Sequence, residues 1–154
     1  MMDFTLLAVG NLKEGYLREG VAEYLKRMKA YASVKVIEVP EERRNNPEET
    51  VREEGKAILG QVKEGAYVIC LAVEGREMDS PGLARHLEEV FTYRSSQVYL
   101  IIGGSHGLSP EVLARADLKL SFSRFTYPHQ LMRLILAEQL YRAMKISRGE
   151  PYHK

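Results

Sequence analysis

The sequence predicts an α/β fold with a mostly parallel sheet flanked by helices on both faces. Two observations carry this. The runs Phe4–Val9, Tyr67–Val73 and Val98–Ile102 are apolar almost throughout, without the polar alternation of a strand that faces water on one side. Segments with helical apolar spacing alternate with these runs, which is the pattern of strand–helix–strand units closing a parallel sheet.

Each element has a local reason. Phe4–Val9 ends at Gly10 and reads as a buried first strand. A helix follows over 14–31, with Leu17, Val21, Tyr24, Leu25 and Met28 on one face. Val34–Val39 alternates as a second strand and stops at Pro40, and the wholly polar run 41–47 reads as an exposed, mobile loop. The next helix, 48–64, is expected to turn Val51, Ile58, Leu59 and Val62 inward. After the Tyr67–Val73 strand, Ser80-Pro81 supplies a helix cap followed by a proline suited to the first helical position. That helix carries Leu83, Leu87, Val90 and Phe91. Val98–Ile102 runs into Gly103-Gly104-Ser105-His106-Gly107, Ser109-Pro110-Glu111 opens a short helix, and Leu118–Phe122 is the last strand.

The final helix starts at Pro128 and is apolar on nearly all sides from Leu131 to Ile146, leaving a narrow polar line at Glu138, Arg142, Lys145 and Gly149. A helix of that kind must be covered all round. The sheet covers one side, and the other is expected to form a homodimer interface.

The length of 154 residues suits a single domain spanning 1–154, with 45% apolar residues and no run near the roughly 18 needed to span a membrane. The N-terminus has no basic segment or small-residue cleavage site of a signal peptide. Cys70 stands alone in an apolar run, which favours a reducing, cytoplasmic setting. Residues 1–114 carry 14 Lys/Arg against 18 Asp/Glu, whereas 115–154 carry 8 against 3. A basic C-terminal third suits a phosphate-bearing partner, and equally a solvated helix face.

The glycine-rich turn admits three readings. Its spacing is neither the dinucleotide fingerprint nor a P-loop. It matches G-x-S-x-G, with Ser105 as a serine-hydrolase nucleophile and Asp117, His129 and His153 downstream. No HGGG-type stretch supplies a second oxyanion donor, and the helix begins only after Ser109. It also reads as a plain tight turn, or as a turn whose backbone amides meet a small ligand.

Several segments together carry a family resemblance: Leu-Leu-Ala-Val-Gly at 6–10, Ile-Ile-Gly-Gly-Ser-His-Gly-Leu at 101–108, Leu-Ser-Phe-Ser-Arg-Phe-Thr-Tyr-Pro-His-Gln-Leu-Met-Arg at 120–133, Glu-Gln-Leu-Tyr-Arg-Ala at 138–143 and Pro-Tyr-His-Lys at 151–154. Over essentially its whole length the chain resembles the RlmH family, pseudouridine N3-methyltransferases of bacterial large-subunit ribosomal RNA in the SPOUT class. The resemblance implies a deep C-terminal trefoil knot, a homodimer and S-adenosyl-L-methionine as cofactor. It also implies helix 69 of 23S ribosomal RNA on the assembled ribosome as substrate. Carried over by motif, the cofactor would meet Leu71, Gly103, Gly104, Phe122, Ser123, Arg124, Phe125, Thr126 and Tyr127.

Methyl transfer from a sulfonium needs no metal, because the leaving group is already activated. The imide N3 must lose a proton, and His153 is the candidate base because histidine titrates near neutrality. Tyr152 is the candidate for stacking on or hydrogen-bonding the target base, and Arg142 for holding a phosphate or the developing charge. A non-catalytic dimer that binds RNA or the ribosome is the remaining alternative.

Overall fold

The computed structural model describes residues 2–154. Its strands are β1 (Met2–Val9), β2 (Ala32–Val39), β3 (Tyr67–Glu77), β4 (Gln97–Ile102) and β5 (Leu118–Ser121). Its helices are α1 (Gly15–Met28), α2 (Pro47–Gln61), α3 (Ser80–Tyr93), α4 (Pro110–Arg115) and α5 (His129–Ser147). The strands form one sheet in the order β2-β1-β4-β3-β5, and every pairing is parallel.

Alternate side chains of the central strands feed two separate cores. Phe4, Leu6, Ile69, Leu100 and Ile102 pack on one face with Met28 of α1, Leu87 of α3 and Leu136 and Leu140 of α5. Leu7, Val9, Val68, Tyr99 and Ile101 pack on the other face with Ile58 of α2 and Val112 of α4. Burial on both faces explains why these strands read as continuous apolar runs, each such side chain contributing about 1.5–3 kcal/mol.

Four local expectations shift. On α2, Ile58 is buried and Leu59 and Val62 pack on the same core as expected, but Thr50, Glu54 and Gly55 are buried beside them and Val51 is only half-buried. The cause is the loop ahead of α2. Glu54 Oε2 accepts the Glu42 N–H at 3.0 Å and Thr50 Oγ1 accepts the Arg44 N–H at 3.1 Å, so this polar loop is pinned across α2. The cap of α3 is Asp79, whose Oδ1 accepts the Gly82 N–H at 2.7 Å, so Pro81 sits one position deeper.

The third shift concerns α5. No residue from His129 to Ser147 is fully exposed, and the helix shares one core with α1 and α3 in its own chain. Leu136, Leu140 and Met144 face that core, while Leu131, Leu134 and Ile135 are only half-buried within the chain. Gly20 of α1 makes room for α5, since a Cβ there would lie 2.9 Å from Leu134 Cδ1. Arg133 is only 2% exposed, although its place among apolar neighbours gave no sign of a buried charge. Its Nη1 donates to Glu38 Oε2 and its Nη2 to the Gly10 carbonyl at 3.0 Å, tying the first turn of α5 to the ends of β2 and β1.

β3 runs past the expected strand by making an irregular excursion between Leu71 and Arg76, both of which register with Leu120 of β5. Gly75 permits it, because a Cβ there would lie 2.6 Å from the Lys119 carbonyl oxygen, a backbone atom that cannot turn aside. Gly75→Ala should cost about 1–3 kcal/mol in a denaturation curve. An unchanged midpoint would show that the excursion relaxes freely.

Candidate active site

A hollow of about 280 Å³ opens over the carboxyl ends of β3, β4 and β5. In open parallel sheets this is where ligands bind. Three segments form its wall. The end of regular β3 contributes Leu71 to Val73, the turn after β4 contributes Gly103, Gly104, Ser105 and Gly107, and the segment between β5 and α5 contributes Ser121 to Tyr127 apart from Arg124. His129 and Met132 close it from the first turn of α5.

The glycines have distinct reasons. Gly103 needs close approach, since a Cβ would lie 2.6 Å from the Gly107 carbonyl oxygen, and Gly107 sits at φ +82° in the left-handed region. The Gly107 N–H returns to the Gly104 carbonyl at 3.1 Å, closing the turn. Ser123 organises the opposite wall, where its Oγ accepts the Phe125 N–H at 3.0 Å and donates to the Tyr127 hydroxyl at 3.1 Å.

Eight of the nine cofactor residues expected from the sequence line this hollow: Leu71, Gly103, Gly104, Phe122, Ser123, Phe125, Thr126 and Tyr127. Arg124 is exposed and lies outside the lining. Phe125 stands at the rim, 75% exposed. None of the lining residues is acidic. Apolar walls flanked by backbone N–H and C=O groups fit an adenosyl moiety, whose ring is flat and whose edge both donates and accepts hydrogen bonds.

A second hollow, of about 500 Å³, adjoins the first and shares Leu120, Phe122 and Tyr127 with it. Asp79 to Pro81 at the start of α3, Gln139 of α5 and His153 of the tail line it. The shared residues place His153 near the expected cofactor residues within a single chain.

Glu138 holds the tail in place. It accepts the Tyr152 hydroxyl at 2.7 Å and Arg142 Nη2 at 2.5 Å. Tyr152 meets Tyr141 edge-on at 4.8 Å between centroids, with the Arg142 guanidinium 4.7 Å above its ring. Burial, then the hydrogen bond to Glu138, pushes the Tyr152 phenol well above its ordinary value, so it stays protonated as a donor. These contacts anchor the tail to α5. The Glu138 hydrogen bond likewise raises the Arg142 guanidinium. Arg142 Nη1 lies 3.2 Å from His153 Nδ1. Arginine has only donors, so Nδ1 accepts and the ring proton sits on Nε2.

The hydrolase constellation does not assemble. Ser105 follows the carboxyl end of β4, while Asp117 lies at the opposite end of the sheet. There Asp117 Oδ2 accepts the Val68 N–H at 2.8 Å and Arg115 Nη1 at 3.3 Å. Cys70, beneath the hollow, is buried and its thiol is pushed up to about 12, so it forms no thiolate nucleophile at neutral pH.

Sequence reasoning missed Glu54, Ser80, Gln139 and Arg133. Spacing offered no signal for the first three, because loop and helix packing bring them to the site.

Fold and hollow define the class: an α/β protein with a ligand-sized hollow at the carboxyl edge of a parallel sheet, walled on one side by the segment between β5 and α5. Residues 2–153 match the family described as "Predicted SPOUT methyltransferase". Ribosomal RNA large subunit methyltransferase H of Carboxydothermus hydrogenoformans is 53% identical over 99% of this chain and all of that relative. The protein of the same name from Ligilactobacillus salivarius is 49% identical with the same coverage. A probable methylase family protein from Haemophilus influenzae shares the fold at a TM-score of 0.58 and 12% identity, over 99% of this chain and 71% of that one. TrmJ from Z. mobilis does so at 0.53 and 13%, over 100% and 73%. The chain belongs to the SPOUT methyltransferases, in the RlmH family of ribosomal RNA large subunit methyltransferase H. Its cofactor is accordingly S-adenosyl-L-methionine.

Glu54 lies behind the glycine turn, 3% exposed, with Oε1 unpartnered. Burial raises its carboxyl above the ordinary 4.5. A raised acid favours the folded state while protonated, so this contribution is complete below about pH 4.5 and is lost as pH rises through the folded value. Glu54→Gln keeps an acceptor for Glu42 and removes the charge. Its melting temperature should exceed that of the unsubstituted protein at about pH 8, and the gain should vanish near pH 4. An equal gain at both would refute a buried charge.

Proposed function

We propose that this chain, as a single domain spanning 1–154, transfers a methyl group from S-adenosyl-L-methionine to N3 of a pseudouridine in helix 69 of 23S ribosomal RNA. It acts on the assembled ribosome, in the cytoplasm, without a metal. The observation that carries this reading is the pair of adjoining hollows: one is walled by the glycine turn, the other holds His153, and Phe122 and Tyr127 stand between them.

The cofactor supplies a methyl on a positively charged sulfur that leaves as a neutral thioether. The protein's task is alignment and proton removal. Leu71, Gly103, Gly104 and residues 122–127 hold the donor against the shared wall, with Arg124 contributing charge from outside. Arg142 exchanges His153 for an RNA phosphate or for the charge developing on the ring. That exchange frees the Nδ1 lone pair of His153 to take the N3 proton as N3 forms its bond to carbon. Tyr152 keeps the tail beside the base through Glu138 and Tyr141.

The same reading includes a C-terminal trefoil knot and a homodimer. Residues 121–127 and the loops after β3 and β4 wall one hollow, which supports a threaded segment. Exposed Tyr16 and Phe125 supply apolar surface for a second copy.

Calorimetry with S-adenosyl-L-methionine, and methyl transfer from labelled cofactor to intact ribosomes with identification of the nucleoside, test the reading. Deleting 151–154 should leave cofactor affinity intact and lower methylation about 100-fold or more. Full activity of the truncated chain would remove the tail from the mechanism.

A further inference from the structure

We infer that Gln139, held by Ser80, is the residue that distinguishes pseudouridine from uridine in the second hollow. This rests on the function proposed above and deepens it. Gln139 projects from α5 into the hollow, and its amide cannot flip freely. Its Nε2 donates to Glu138 Oε1 at 3.0 Å, and an ionised carboxylate only accepts. Its Oε1 accepts the Ser80 hydroxyl at 2.7 Å. Two opposed partners therefore fix which end of the amide is which.

This leaves one N–H and one carbonyl lone pair of Gln139 without a partner in the chain. The Asp79 carboxylate in the same hollow already has Oδ1 committed to the helix cap. A pyrimidine ring joined to its ribose through carbon carries a free N1–H next to the O2 carbonyl. A ring joined through N1 has no such hydrogen. The open side of Gln139 matches that edge: Oε1 accepts N1–H and Nε2 donates to O2. N3, on the other side of O2, is left for the shared wall of Phe122 and Tyr127. Leu83, Leu120 and Ile135 supply apolar packing for the ring. A site that hydrogen-bonds one substrate group discriminates strongly against an analogue lacking it, because its own polar atoms are left unpaired.

The experiment measures kcat/KM on ribosomes carrying either pseudouridine or uridine at the target position. It uses the unsubstituted chain, Gln139→Met (similar length, helix-favouring, no amide) and Ser80→Ala (amide present but unheld). Cofactor affinity by calorimetry reports the integrity of the fold. The pseudouridine-to-uridine ratio should fall roughly 10-fold or more in Gln139→Met and by a smaller factor in Ser80→Ala, with cofactor affinity unchanged in both. An unaltered ratio in Gln139→Met with normal cofactor affinity overturns the inference while leaving the methyltransferase reading in place. No methylation of either ribosome by the unsubstituted chain overturns that reading, and this inference with it.

Discussion

A guanidinium with almost no access to water fixes the geometry of the functional end of the molecule. Arg133 leaves α5 one turn in and reaches Glu38 and the Gly10 carbonyl, so the last helix is tied to the β1–β2 half of the sheet. Desolvating a charge costs several kcal/mol, and only good acceptors offset it. Here they are a carboxylate and a backbone oxygen, while Nε remains without a partner. A second link, from the Lys13 N–H to Gln130 Oε1 at 3.1 Å, reinforces the first. With the start of α5 held from the β1–β2 side, residues 121–128 must cross the carboxyl ends of β3 and β4 to reach it. That crossing creates the wall shared by the two hollows.

Farther along α5, Glu138 serves the tail as Glu38 serves the helix start. It gathers Gln139, Arg142 and Tyr152, and through Arg142 it also sets the tautomer of His153. One carboxylate thus orients both the groups assigned to proton removal and the amide assigned to reading the base. Aromatic packing carries the arrangement back to α1, since Tyr141 lies 6.1 Å from Tyr24 and Arg27 caps both rings. Charge pairing and aromatic packing therefore share one helix.

The sheet at this edge is irregular for a related reason. β3 departs from its partner after Leu71 and rejoins at Arg76, and Leu71 to Val73 line the first hollow where the departure starts. A regular strand would continue its ladder there and fill the position with paired backbone. Glu54, behind the glycine turn, keeps an unpaired oxygen beside Gly104, so the turn rests on a polar support rather than a packed apolar one.

The sequence by itself determined the layers. Unbroken apolar runs such as Phe4–Val9 and Val98–Ile102 can only be strands covered on both faces, and the intervening periodic segments supply the covers. Motif resemblance over 101–108 and 120–133 marked seven of the residues that line the first hollow. Periodicity was silent on Arg133, because a charge among apolar neighbours looks the same whether it escapes to solvent or meets a carboxylate 95 positions away. It did not mark Thr50 and Glu54 of α2 as buried, because hydrogen bonds to a polar loop, not apolar spacing, take them in. Ser80 and Gln139 lie 59 positions apart and meet only where α3 packs beside α5. Burial preference is local and can be read along a chain. Which polar atoms find each other depends on how finished elements cross, and only the folded chain decides that.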